Sequence, residues 1–306
     1  MSATFQVRRC WLLAAATVWL GAGCLPPDTR PTPGSVYVSA EPSEAVAHGF
    51  TTADGWDIVF DRLLVGLGDV SLDGDGCNSY SETHYDRLYD FAAGGQQKVG
   101  LVYGLGACEL RFRMRSPSSD AVLGEGVSQS DVDSMRTEVG DVYVPEGRTT
   151  LYVRGHASRK TITKHFDWSF RHGYTLKNCP AEGDAGQASA IQIQGGDELA
   201  KQIVVRGEEL LRPSADDDAP LRFDLLAEAD ADGDQAITLD ELAKVPAPPP
   251  EETDAGADAG TNAWDASAPD GGALSLADVV YEALVPRIAR LENSGACEAE
   301  ARDRRR

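Results

Sequence analysis

The sequence predicts a mainly β chain: an antiparallel sandwich over residues 35–212, followed by a C-terminal α-helical module over 213–292. Three observations predict it. Between 35 and 212 the apolar residues come in short runs rich in β-branched and aromatic side chains, several of them alternating with polar ones. Gly, Asp and Ser clusters separate the runs as turns separate strands. Past a polar stretch at 213–220 the apolar spacing changes from two to three and four residues, the spacing of one helix face.

The strands follow in order. Val36, Tyr37 and Val38 centre the first, at 35–39; runs at 56–61 and 63–67 give the next two. Later runs fall at 99–103, 108–114, 150–153, 166–170, 191–193 and 203–205. So many short strands with turns between them suit a sandwich of the immunoglobulin-like or transthyretin-like kind. Trp56, Trp168, Tyr103 and Phe170 are expected in its core rather than on a carbohydrate-stacking platform. The stretches Gly49-Phe50-Thr51-Thr52-Ala53-Asp54-Gly55-Trp56 and Gly104-Leu105-Gly106-Ala107-Cys108 are similar to uncharacterised β-domains of bacterial surface lipoproteins. That resemblance implies export and names no chemistry.

In the helical module, Leu221, Leu225 and Ala229 form one stripe with Phe223 and Leu226 beside it, and a second short helix runs from Glu241 to a stop at Pro246. Residues 246–273 are rich in Pro, Ala, Asp and Gly and read as a disordered insertion. Ser275-Leu276-Ala277-Asp278 then has the form of a capping box. It opens a helix whose apolar stripe is Leu276, Val279, Val280, Ala283, Leu284, Ile288 and Leu291, with a kink expected at Pro286. Residues 293–306 are left as a tail.

The first residues point to export. Arg8 and Arg9 precede an apolar run at 11–20, too short to span a bilayer, so residues 1–23 read as a signal peptide. The run ends in Leu20-Gly21-Ala22-Gly23-Cys24, which resembles a bacterial lipobox, with Leu20 one position further from the cysteine than the usual pattern has it. The resemblance implies a lipidated Cys24, and with the Pro-rich run that follows, 24–34 becomes a lipid-bearing stalk. The compartment expected is the bacterial cell envelope, lipid-anchored at the outer membrane; an ordinary signal peptide with a soluble secreted product is the alternative.

Charge agrees with export and narrows the partners. The 306-residue chain carries 28 Lys and Arg against 49 Asp and Glu, a formal net charge of -21. Loss of residues 1–23 removes two arginines and no acid, leaving 26 minus 49, or -23. Such a surface repels phosphate backbones, which excludes nucleic acid, and attracts cations. The expected partners are the membrane, through the lipid, and another envelope protein or polymer. With Cys10 in the signal peptide and Cys24 lipidated, Cys77, Cys108, Cys179 and Cys297 make two disulfides, of three conceivable connectivities; Cys77 with Cys108 is favoured.

The most specific motif lies between the two short helices. Residues 230–241, Asp-Ala-Asp-Gly-Asp-Gln-Ala-Ile-Thr-Leu-Asp-Glu, resemble the twelve-residue EF-hand loop. The resemblance assigns Ca2+ ligands to the side chains of Asp230, Asp232 and Asp234, the carbonyl of Ala236, Thr238 through a water, and a bidentate carboxylate from Glu241. Ile237 fits the apolar eighth position. The sixth, where the chain turns through φ above zero and glycine is usual, is Gln235. A non-glycine residue there costs about 1–2 kcal/mol, equivalent to an affinity loss of about five- to thirtyfold. EF-hand loops usually pair, and 273–278 echo 236–241 in pattern; Ser267, Pro269 and Gly271 in the ligand positions make that partner a silent one.

Other constellations are weaker. Asp73-Gly74-Asp75-Gly76 is half a calcium loop with His84 in the twelfth place, and no Gly-x-Ser-x-Gly elbow or helical His-Glu pair occurs. The five histidines, His48, His84, His156, His165 and His172, are scattered. No catalytic residue is assigned. The chain is expected to be a non-enzymatic, calcium-binding, membrane-anchored lipoprotein; the alternative is an extracytoplasmic enzyme or ligand-binding protein with its cleft in the β-domain and a purely structural calcium.

Overall fold

The computed structural model describes residues 31–137, 148–180, 190–215, 217, 219–247, 274–292 and 295–301. The expected signal peptide, Cys24 and, of the insertion expected over 246–273, residues 248–273 lie outside the described residues.

The chain is mainly β. Strands β1 (Gly34–Pro42), β2 (Phe50–Thr51), β3 (Asp57–Ser79), β4 (Asp86–Asp90) and β5 (Gln97–Met114) are followed by β6 (Val122–Leu123), β7 (Leu151–Arg159) and β8 (Ile162–Phe170). Then come β9 (Tyr174–Lys177), β10 (Ile191–Ile193), β11 (Glu198–Val205), β12 (Ala236–Ile237), β13 (Ala289–Leu291) and β14 (Glu298–Ala301). The helices are short: α1 (Glu44–His48), α2 (Gln129–Arg136), α3 (Asp224–Ala227), α4 (Leu239–Leu242) and α5 (Leu276–Asp278).

Among the described residues all fourteen strands belong to one sheet, with the order β12-β8-β7-β3-β5-β1-β11-β13 along its main path. The pairing is mixed rather than antiparallel throughout: β1 with β11, β4 with β6, and β12 with β8 run parallel. Runs expected as separate strands merge. The stretches expected at 56–61 (from Asp57 on) and 63–67 lie in β3, and those at 99–103 and 108–114 lie in β5. Each long strand changes partner along its length. The first part of β3 pairs with β7 and its last part with β5, with register shifts at Phe60/Arg62, Gly68/Ser71 and Asp73/Gly76 absorbing the change. The last of these faces Gly106, which sits at φ 95 with the Gly76 carbonyl 2.1 Å from where a Cβ would be, so only glycine fits. Beside it Cys77 and Cys108 form a disulfide. Cys179 and Cys297 form the second, next to the β9–β14 pair.

One hydrophobic core runs from Trp168 and Phe166 of β8 through Val65, Phe112 and Val38 to Ile203 of β11. Trp56, Trp168 and Phe170 are buried in it as expected, whereas Tyr103 is 39 % exposed: Val102 takes the inward place and the alternation of β5 turns its neighbour outward.

Among the described residues the C-terminal part carries only short helices. Phe223, Ile237, Leu242, Leu276, Tyr281 and Leu284 enter the same core, because each helix is too short to bury a face on its own. Ser275 does cap α5, in a reciprocal capping box with Asp278. The chain then continues as a π-helical stretch, Val279–Leu284, and a 3-10 turn, Val285–Arg287, in which Pro286 removes the amide that further helix would need. Residues 289–291, expected to be helical, pair with β11 instead. Residues 298–301, expected as tail, form β14. Fully buried Glu209 accepts hydrogen bonds from Arg212 and Arg290, fixing the 3-10 turn Gly207–Leu211 to β13.

Candidate functional site

The acidic loop is held between α3 and α4, and both are positioned from a distance. Phe223, fully buried, packs on Trp56 with ring centres 5.3 Å apart. Asp54 accepts hydrogen bonds from the amides of Phe223 and Asp224, each 2.7 Å, so a side chain in the turn before β3 binds the first turn of α3. Trp56 Nε1 donates to Asp224 Oδ1 at 2.9 Å, and the Arg159 guanidinium lies over the Trp56 ring while pairing with Asp224.

Within the loop the carboxylates order the backbone. Asp230 Oδ1 accepts from the Gly233 amide and its Oδ2 from the Gln235 amide; Asp232 accepts from the Asp234 amide and Asp234 from the Ala236 amide, all between 2.7 and 3.1 Å. These bonds wind the chain so that oxygens of Asp230, Asp232 and Asp234 lie within 4.8 Å of one another. Gln235 stands at φ 73, the left-handed conformation that the sixth position of such a loop requires. Asp232 and Asp234 are exposed, whereas the Asp230 side chain is fully covered.

Glu241 folds back over the loop. Its Oε1 accepts from the Ala231 amide at 3.2 Å, and its Oε2 from both the amide and the hydroxyl of Thr238 at 2.9 Å. The Thr238 hydroxyl oxygen in turn accepts from the Glu241 amide, completing a capping box at the start of α4. Thr238-Leu239-Asp240-Glu241 is a capping box like the one that opens α5 at Ser275-Leu276-Ala277-Asp278, with Glu in the place of Asp; only the second is expected from the sequence. The carboxylate assigned to the twelfth position thus reaches the loop and caps a helix at once.

Sequence reasoning missed what seats the loop. Its short strand β12 pairs in parallel with β8, Ala236 opposite His165 and Ile237 opposite Phe166. The His165 amide donates to the Gln235 carbonyl and Trp168 Nε1 to the Ile237 carbonyl, both 2.7 Å. Consecutive peptide groups of an extended strand face opposite ways, so the Ala236 carbonyl between them faces away from β8. The expected silent partner is displaced from this role. Leu274 and Leu276 pair with Ala247 and Val245 around a Pro246–Ser275 bridge, not with Ile237; Ser267, Pro269 and Gly271 lie outside the described residues. The sheet offers Ile237 a buried partner in Phe166, which two short hairpins alone would lack.

Lys164 was also missed. It points off β8, on the face opposite His165, and its ammonium forms an ion pair with Asp230 Oδ2. The ammonium, with the amides of Gly233 and Gln235, holds the Asp230 carboxyl below the usual carboxylate range. No local signal marks Lys164, because 66 residues separate the partners.

The other expected half-loop, Asp73 to Gly76, lies inside β3, paired with β5, and Asp73 is ion-paired to Arg111. These residues border an open groove of about 660 Å³ lined by Ser71, Asp73, Tyr80, Glu82, His84 and Arg111 among others. No protein-family model, curated protein or solved structure matches the chain.

Proposed function

We propose that this chain is a calcium-binding lipoprotein of the bacterial cell envelope, exported and membrane-anchored through Cys24, with a structural or binding role rather than a catalytic one. In this reading the β body is a sandwich in the immunoglobulin-like or transthyretin-like sense. One EF-hand-like loop binds Ca2+ through Asp230, Asp232, Asp234, the Ala236 carbonyl, Thr238 through a water, and Glu241. The observation that carries it is the convergence of three carboxylates around a residue in the left-handed conformation, with a fourth carboxylate folded over them. A hard cation wants six to eight oxygens at about 2.3–2.6 Å, and this segment supplies oxygens and no nitrogen or sulfur. Binding calls for two local changes: Lys164 leaves Asp230, and Glu241 exchanges its backbone donors for the ion.

A Ca2+ ion in this seat ties β8 to α3 and α4, so its effect is on stability. At about ten times Kd it stabilises by RT ln 11, about 1.4 kcal/mol. Calcium should therefore raise the thermal midpoint by a few degrees in the wild type and leave Glu241→Gln unmoved, with magnesium having little effect on either. An equal rise in both proteins would refute the assignment. For the anchor, mass spectrometry of the protein purified from membranes should show a diacylglyceryl group on an N-terminal Cys24; an unmodified terminus elsewhere would leave the soluble secreted alternative.

A further inference from the structure

We infer that the outer face of the β7–β8 hairpin is a second metal site, built from imidazole nitrogen and taking a divalent ion of the zinc and copper class. His156 of β7 and His165 of β8 are directly opposite each other in the ladder. Side chains so placed share one face of the sheet, with Cβ atoms about 4.5–5.5 Å apart. The flanking residues fix which face it is. Ala157 and Phe166, neighbours of the two histidines, are buried, so the rings stand on the solvent side. Their centres are 6.2 Å apart and inclined at 47°. That gap admits one ion between two ligand bonds of about 2.0–2.1 Å each.

The third member comes from the next strand. β3 pairs Val59 with His156 and then shifts register between Phe60 and Arg62, which leaves Asp61 as the extra residue of a bulge. Bulges re-aim side chains. Here Asp61 Oδ2 lies 3.4 Å from His156 Nδ1. A carboxylate on one ring nitrogen selects the tautomer that leaves the other nitrogen as the ligand, the arrangement found behind most metal-bound histidines. Asp61 is thus a positioning residue, and the donors are His156 Nε2 and one nitrogen of His165, with solvent completing the shell.

The backbone under the pair is held on both sides. Gly155, beside His156, has the Val59 carbonyl 2.4 Å and the Phe166 ring 2.5 Å from where a Cβ would sit, so its lack of a side chain sets the close spacing of β3, β7 and β8. On the far side the His165 amide is bonded to the Gln235 carbonyl at 2.7 Å. The two histidines therefore keep their spacing without an ion. The net charge of -21 concentrates cations at the surface without choosing among them; imidazole does the choosing, for zinc, copper and nickel over calcium and magnesium.

The test is a calorimetric titration of the full chain with Zn2+ at neutral pH, in millimolar calcium so that the acidic loop is not the site read. One zinc event is expected. It should weaken by at least about tenfold in His156→Gln and in His165→Gln, and by about tenfold in Asp61→Asn. It should be unchanged in His84→Ala, whose imidazole lies elsewhere. Undiminished zinc affinity in both histidine variants, or no zinc event in the wild type, overturns the site. A readout that needs no variant is the electron paramagnetic resonance spectrum of the chain with one equivalent of Cu2+: hyperfine structure from two imidazole nitrogens supports the site, and an all-oxygen spectrum refutes it.

Discussion

Lys164 and Gln235 set what the acidic loop can do. The Lys164 ammonium occupies Asp230, so an arriving cation competes with an ion pair already made. A hydrogen bond to a charged group contributes about 1.5–3 kcal/mol. Lys164→Met should accordingly tighten calcium binding by about tenfold, measured by competition with a chromophoric chelator, while lowering the thermal midpoint of the calcium-free protein. A looser calcium complex would show that Lys164 supports the bound loop instead. Gln235 has a different bearing from the one its type suggests. It already stands at φ 73, pinned by its amide on Asp230 and its carbonyl on His165. The strain of about 1–2 kcal/mol is thus carried by the fold and not added on binding. That conformation was legible in the sequence, because twelve residues fix the loop's winding among themselves. The ion pair was not, because it depends on a strand far away in the chain.

The elements on either side of the loop are one or two turns long and depend on docking. Asp54 holds the start of α3, accepting from the amides of Phe223 and Asp224 and from the Thr52 hydroxyl. Burial raises its carboxyl, but these hydrogen bonds outweigh that and hold it below the usual range. With the folded value below the unfolded one of about 3.9, the contribution is fully present above that pH and is lost as pH falls through the folded value. The wild type should therefore lose stability below about pH 4 more steeply than Asp54→Asn, in thermal melts read by circular dichroism. Equal slopes would mean that the α3 anchor is not ionic. The same dependence explains where helix periodicity misled. The apolar spacing at 276–291 matches a helix stripe, but Pro286 ends it and β11 offers 289–291 an edge to pair with. The strands around Trp56, Trp168 and Phe170 were legible because alternation is a local property. The merging of neighbouring runs into β3 and β5 was not, since it follows from partners changing along each strand.

For the molecule as a whole, the C-terminal segment closes the structure. β12, β13 and β14 join the sheet at three places, and Cys179–Cys297 fixes the last of them across 118 residues of sequence. A cross-link closing so long a loop contributes about 2–5 kcal/mol. Replacing Cys179 and Cys297 by alanine should lower the unfolding free energy by that amount in urea, with hydrogen exchange faster in β14 and β9 than in β7. Uniformly faster exchange would show that the bridge supports the entire sheet. The even cysteine count and the favoured Cys77–Cys108 pair made this pattern readable in advance, whereas the parallel seat of the loop on β8 was not. On the proposed reading, that seat makes calcium binding a property of the intact chain. The most direct measurement is a calorimetric calcium titration of the full-length protein beside Asp232→Asn and Glu241→Gln. One event per chain is predicted, with Kd at about 10⁻⁴–10⁻³ M, weakened in the first variant and abolished in the second. Two equal events, none at millimolar calcium, or an unchanged event in Glu241→Gln would contradict a single working loop between Asp230 and Glu241.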